Sequence, residues 1–257
     1  MEREVHLAEG GKLDINDLGS EIESLQKSTK AQILKIFEAE LENNEDFQDN
    51  YMGFNFEELV NNITDWVDED EESLNGGPES GMYRDTNSEF IPPNQPFKTL
   101  KELHMVAGMT DEFYKLLAPR VTVFGVKGIN INYAPKEVIM GLDPSVTEEA
   151  ANAIIARRSD PNEGGPFQGE QDFFGFAQSW NVNTQAIEET GIPLFFTDAE
   201  FNFRVRATGQ FANVTREITA VTYDYDNLTE RFIKLLDKQD EEKKGDTGTG
   251  TGTGTGT

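Results

Sequence analysis

Between Asp65 and Glu79 the chain reads Asp-Trp-Val-Asp-Glu-Asp-Glu-Glu-Ser-Leu-Asn-Gly-Gly-Pro-Glu. The chemistry this stretch is equipped for is the coordination of a hard cation. Calcium takes roughly six to eight oxygens from carboxylates, backbone carbonyls and water, on a loop flexible enough to wrap it. With Asp68 as the first position of a twelve-residue wrap, Asp70 and Glu72 fall third and fifth. The Leu74 carbonyl falls seventh, and Glu79 falls twelfth, able to bind through both oxygens. Ser73 stands where an EF-hand needs glycine. The pattern is therefore a wrapping loop of similar logic and not an EF-hand. Asp65 can contribute from the last helical turn before the loop, and Asp85 from beyond it.

From Glu38 to Glu89 seventeen Asp or Glu stand against Arg84 alone, which is −16 of the chain's net −26. A charge run is most simply a solvated surface. A structural calcium ion seated in this one removes part of its self-repulsion, and that is the expectation carried forward.

Other chemistries find less support. Affinity for nucleic acid rests on Lys and Arg neutralising phosphates, and binding to anionic lipid rests on basic clusters, so a charge of −26 argues against both. Cysteine is absent, and His6 and His104 are the only imidazoles. There is no phosphate-cradling Gly loop, no Ser elbow and no His pair for zinc. Carboxylates are plentiful, but nothing sets two of them across a cleft as glycoside hydrolysis requires. No catalytic residue, organic cofactor or small-molecule substrate is expected. Asn62, Asn213 and Asn227 sit in Asn-x-Thr triplets that an Asn- and Thr-rich chain produces by chance.

The elements that position the loop follow from periodicity. Val5 and Leu7 alternate with charged neighbours, Gly10-Gly11 turns the chain, and Leu13 and Ile15 alternate again, which reads as a short hairpin or bent strand pair. Ile33, Leu34, Ile36, Phe37 and Leu41 fall at helical spacing from a cap at Ser28, ending at Asn43-Asn44. Asn55 and Glu58 are spaced as a capping box ahead of the stripe Phe56, Leu59, Val60, Ile63, Trp66 and Val67. After the acidic loop, Ile91-Pro-Pro-Asn-Gln-Pro96 is too proline-dense for helix. Thr99, Thr110 and Thr147 cap further helices, Pro135 opens another, and Asp172-Phe173-Phe174 begins one more. The pairs Thr99–Leu117 and Pro135–Ile155, joined through Gly108-Met109 and Gly141-Leu142, resemble helix-hairpin-helix or SAM-like units. From Lys98 to Asp172 eight basic residues face eleven acidic ones, so the pairs are read as packing modules rather than DNA-binding ones.

Past Ile192-Pro193 the texture becomes β. Phe201 to Thr208 alternates, Gly209-Gln210 turns, Val214 to Tyr223 is a second strand, and Phe232 to Leu236 reads as a third strand or a helical turn. Three strands alone are marginal, and the only other strand-like region is the opening nineteen residues. The fold class expected is therefore α+β: an antiparallel sheet discontinuous in sequence, residues 1–19 plus 193–238, interrupted by an all-α domain over 20–192. Residues 239–257, acidic and then strictly Thr-Gly, read as a disordered tail. No run of about 18 apolar residues occurs, and the first residues already read as strand, as expected of a chain whose natural start lies upstream.

Five segments in order carry a resemblance: Gly10-Gly-Lys-Leu-Asp-Ile-Asn16; Ile63-Thr-Asp-Trp-Val-Asp-Glu-Asp70; Thr99-Leu-Lys-Glu-Leu103 with Val106-Ala-Gly-Met109; Ile129-Asn-Ile-Asn132 with Ala134; and Phe203-Arg-Val-Arg-Ala207. The series resembles the K subunit of the type II secretion system, general secretion pathway protein K. The resemblance implies a minor pseudopilin: a pilin-like sheet carrying the helical insert, capping the pseudopilus tip with the I and J minor pseudopilins. It further implies a periplasmic body held to the inner membrane and its secretion platform only through an N-terminal helix missing here, and calcium held in the insert. The competing expectation is an extracellular or periplasmic calcium-stabilised binding module unrelated to secretion.

Overall fold

The computed structural model describes residues 3–84, 91–198, 202–211 and 214–222, with 233, 235, 236 and 239. The chain divides into two units, Met1–Tyr223 and Asp224–Thr257. In the second, Ile233, Leu235 and Leu236 are helical, so the closing segment is a helical turn there and not a strand. The Thr-Gly run lies outside the described residues.

The first unit opens with β1 (Arg3–Ala8). Gly10-Gly11 then turns the chain into β2 (Leu13–Asp14) and a 3-10 turn over Ile15–Gly19. Gly11 is obligatory here, because a Cβ on it would lie 2.4 Å from the Tyr133 carbonyl carbon. β2 does not fold back on β1 as a hairpin. It pairs in parallel with β3 (Val121–Thr122), introduced below in the chain. The cause is burial: Leu13, Ile15 and Leu18 are apolar and enter the helical core almost completely, a gain that no isolated hairpin offers.

Three helices follow. α1 (Glu23–Asn43) starts a turn earlier than Ser28. Ser28 lies inside it with its hydroxyl donating to the Ser24 carbonyl at 2.5 Å, and Ser20 Oγ accepts from the Ile22 N–H ahead of it at 3.2 Å. α2 (Glu45–Tyr51) is capped by Asn44, which therefore starts a helix as well as ending one. α3 (Phe56–Val67) begins where Asn55 Oδ1 accepts from the Glu58 N–H at 3.2 Å. Beyond the acidic loop come α4 (Ser80–Arg84), a 3-10 helix over Leu100–Met105, and α5 (Asp111–Leu117) capped by Thr110. After β3, β4 (Ile129–Asn130) leads to α6 (Lys136–Met140), and α7 (Glu148–Ser159) is capped by Thr147. α8 (Glu170–Gln178) and α9 (Thr184–Glu189) follow, and β5 (Leu194–Phe195) pairs in parallel with β4. Residues 20–192 are thus helices with two two-residue strands, β3 and β4, which pair with β2 and β5 of the flanking segments, so this region is not all-α.

One core fills this body. Phe37 stacks on Phe56 at 4.4 Å between centroids, and Phe113 meets Phe37 edge-on at 5.6 Å. Phe167 and Phe173 are completely buried at the far end. The last strands, β6 (Phe203–Phe211) and β7 (Val214–Val221), are antiparallel neighbours, and β6 also pairs with β1 from Arg3↔Thr208 to Ala8↔Phe203. Among the described residues the sheet order is β1-β6-β7, so the opening and closing segments share one sheet across the whole body. Gly209 and Gln210 do not turn the chain; they lie in β6 opposite Arg216 and Thr215. The joint between sheet and body is polar. The Glu9 N–H donates to the Asn202 carbonyl at 2.7 Å, and the buried Glu9 carboxylate takes Arg204 Nε at 3.2 Å, Lys12 Nζ and the Thr122 hydroxyl. Most of β7 is exposed on both faces.

Candidate metal centre

The stripe of α3 buries Leu59, Val60, Ile63 and Trp66 and stops at Asp68, whose N–H still donates to the Thr64 carbonyl. That termination aims the acidic loop outward from a rigid helix end. Two glycines in the left-handed region, Gly76 (φ 92°) and Gly77 (φ 85°), then reverse the chain. The Ser73 N–H donates to the Gly77 carbonyl at 2.9 Å, and the Glu79 N–H donates to the Glu71 carbonyl at 3.3 Å. The return strand consequently lays Glu79 back beside the residues that open the loop.

Asp68, Asp70 and Glu79 each place a carboxylate oxygen within 4.8 Å of the others. Of the other sequence candidates, Asp65 and Glu72 make contacts within the loop. Asp65 is buried beneath the loop, with Oδ2 accepting from the Ser73 hydroxyl at 2.7 Å and Oδ1 from the Leu74 N–H at 3.1 Å. Both its oxygens face loop donors, so it holds the loop's shape. Glu72 is exposed and contributes its N–H to Asp70 Oδ1 at 2.7 Å. The Leu74 side chain is exposed, and Asp85 lies outside the described residues.

Asn75 pins the far side of the loop to α3. Its Nδ2 donates to the Glu58 carbonyl at 3.0 Å and to Asn62 Oδ1 at 2.8 Å, while Asn61 Nδ2 donates to its Oδ1 at 2.8 Å. Two residues to which spacing gave no role as partners in the site thus shape it, Ser73 and Asn75. A third is Asn94, from the proline-rich segment, whose Nδ2 donates to the Asp70 carbonyl.

Three oxygens in this neighbourhood are buried without any hydrogen-bond donor: Asp68 Oδ1, Glu79 Oε1 and Asn94 Oδ1. A buried acceptor left unpaired costs about 1–3 kcal/mol, and Glu79 is only 5% exposed. Burial first, then the charges of Asp70 and Asp65, pushes Asp68 up to about 6. Burial and the charges of Asp68, Asp65 and Asp70 push Glu79 up to about 7. Asp65 is raised by burial, against the hydrogen bonds it receives. Convergent hard oxygens, unsatisfied and mutually repelling, fit a divalent cation, and Asp68, Asp70 and Glu79 are the residues that would hold it.

Comparison with known proteins points in one direction. Residues 11–126 and 129–191 match the two family models described as Type II secretion system (T2SS), protein K. The Type II secretion system protein K of Klebsiella pneumoniae is 31% identical over 75 residues, which is 29% of this chain and 23% of that protein. That of Dickeya chrysanthemi is 37% identical over 76 residues, 30% of this chain and 20% of that protein. These matches span less than a quarter of the curated relatives' length. The fold resembles the crystal structure of the GspK-GspI-GspJ complex from the enterotoxigenic Escherichia coli Type 2 Secretion System, with a TM-score of 0.66 at 14% identity, covering 88% of this chain and 76% of that one.

Proposed function

Because the chain belongs to the type II secretion system protein K family, we propose that it is the periplasmic part of a minor pseudopilin, non-catalytic, that works by assembly. It joins the I and J minor pseudopilins at the pseudopilus tip and supports protein export across the outer membrane. The full-length subunit is held in the inner membrane, next to the secretion platform, before assembly. The observation that carries this reading is the single sheet made from the two ends of the chain with a large body between them. Read as the pilin-like portion, the sheet faces the filament and the body projects from it. β6 and β7 leave their described side chains half or fully exposed, which suits a sheet that gains its cover on assembly. A body this wide has no place inside a packed filament, so further subunits cannot add above it.

In the body, Asp68, Asp70 and Glu79 hold a calcium ion. The ion supplies fixed positive charge that cancels the repulsion among them. It rigidifies the loop that Asp65 and Asn75 shape, and no reaction passes through it. A calcium-stabilised binding module outside secretion has only the metal geometry in its favour. Mixing the purified protein with the I and J minor pseudopilins of the same source separates the two readings. A stoichiometric complex on size exclusion with light scattering is expected; three independently eluting species would refute the assembly reading.

A further inference from the structure

Close to the joint between sheet and body, the chain buries unbalanced charge. Asp14 of β2 and Asp17 of the 3-10 turn are 4% and 2% exposed. Lys127 reaches both, with Nζ 2.7 Å from Asp17 Oδ1 and 3.7 Å from Asp14 Oδ2. Two carboxylates against one ammonium leave a negative charge uncompensated away from water, and it opposes the fold until a proton removes it.

Lys127 belongs to residues 123–128, and this segment connects the acids to the sheet. The Gly125 N–H donates to the Asp14 carboxylate, and a Cβ on Gly125 would collide with the Asp14 side chain. From the other side Asn202, buried immediately ahead of β6, donates through Nδ2 to the Phe124 carbonyl at 2.9 Å and the Gly125 carbonyl at 3.3 Å. The Asn202 carbonyl in turn takes the N–H of Glu9, the residue that follows β1. One short segment is thus held by the acids on one side and by the roots of two sheet strands on the other.

The charges that act on Asp17 are those of Asp14 and Lys127. On α1 and α3, which pack against the turn, Lys30 turns to Asn61 and Glu57, Lys35 to the Gly141 and Leu142 carbonyls, and Asp65 to Ser73 and Leu74. Lys12 and Arg204 are bound to Glu9. Burial first, then the Asp14 charge, pushes Asp17 up to about 7. Burial also raises Asp14, against Lys127 and the hydrogen bonds it receives.

We propose that Asp14, Asp17 and Lys127 form a proton-operated latch, in which one bound proton clamps residues 123–128 onto the body and its loss loosens their hold on the roots of β1 and β6. The sign follows from the raised acid: the closed form is penalised above neutral pH, and the penalty fades as pH falls. The sheet is therefore held more firmly on the body at pH 6 than at pH 8.

Hydrogen–deuterium exchange of the whole chain in chelator at pH 6 and pH 8, corrected for intrinsic exchange rates, tests this. An acid that titrates at about 7 when the latch is closed and at the ordinary 3.8 when it is open makes the open population about tenfold larger at pH 8 than at pH 6. Peptides covering 123–128 and 203–208 are expected to lose protection by about that factor in the parent. In Asp17→Asn, neutral at both pH values, their protection should not change. Equal protection of the parent at the two pH values would overturn the latch. So would an Asp17→Asn protein that still loses protection at pH 8, since other groups would then carry the effect. A change confined to 123–128 would overturn the coupling to the sheet. If Asp17→Asn fails to fold, Asp14→Asn, which leaves one carboxylate for one ammonium, decides the matter in the same way.

Discussion

Glu79→Gln separates a repulsive acid cluster from an ordinary buried carboxylate. Charges 4.8 Å apart repel by roughly 3 kcal/mol at an effective dielectric near 20. Holding Glu79 near pH 7 against an ordinary value of 4.5 gives a similar cost, about 3 kcal/mol at pH 8. The sign follows from the direction: an acid raised in the fold penalises the native state above its folded value, and the penalty fades as pH falls toward its unfolded value. In chelator at pH 8 the glutamine variant is therefore expected to melt higher than the parent, by roughly 6–12 °C for a unit of this size. At pH 5 the gap closes to within about 2 °C. Calcium closes the gap and then reverses the order, because only the parent keeps the full ligand set: the ion contributes about 2.7 kcal/mol at a hundredfold excess over Kd and about 4.1 kcal/mol at a thousandfold excess, where the parent is expected to melt higher. Differential scanning calorimetry in the four conditions reads all of this. A glutamine variant that melts below the parent in chelator at pH 8 would show that Glu79 is stabilised by its surroundings, and the cation argument would fall.

A second acid pair tests the same electrostatics away from the loop. Asp14 and Asp17 are buried around Lys127, whose Nζ lies 2.7 Å from Asp17 Oδ1 and 3.7 Å from Asp14 Oδ2. Burial and then Asp14's charge push Asp17 up to about 7. Lys127→Ala should cost roughly 3 kcal/mol in urea unfolding at pH 8 and clearly less at pH 5, where the stranded acids take up protons; a pH-independent loss would refute the pairing. Glycine gives a paired contrast. Gly11→Ala forces a Cβ into the Tyr133 backbone and should cost several kcal/mol or prevent folding, whereas Gly175→Ala, inside α8 with open space around it, should stabilise by about 0.5–1 kcal/mol. Equal effects in thermal melts would contradict the packing described.

The elements that the sequence made legible are those whose signal is local. Asn55, Thr99, Thr110 and Thr147 sit at helix starts because a short polar side chain there satisfies a free N–H within three residues. Ser28 looked equally suitable and is buried mid-helix, since the preceding turn finds tertiary cover that periodicity does not register. Leu13 and Ile15 alternate like a strand, yet their burial is decided by β3, more than a hundred residues away. Gly209 resembled a turn and is strand, because its cross-strand pairing with Arg216 continues the β6–β7 ladder through it.

The acidic loop shows the same division. Asp68, Asp70 and Glu79 follow from spacing along one loop, and the fold brings them together. The role of Asp65 was not legible, because a carboxylate saturated by Ser73 and Leu74 looks, in sequence, like one more ligand. Asn94 was invisible for a simpler reason: its contact with Asp70 spans 24 positions and a proline-rich segment that reads only as a connector.

The claim on which the account turns is that this subunit sits at the end of a filament and nowhere else in it. Immunogold labelling of purified pseudopili, with an antibody against the body of this protein, measures that directly. Gold at one end of each filament is the predicted result, and gold spaced along the length would contradict it.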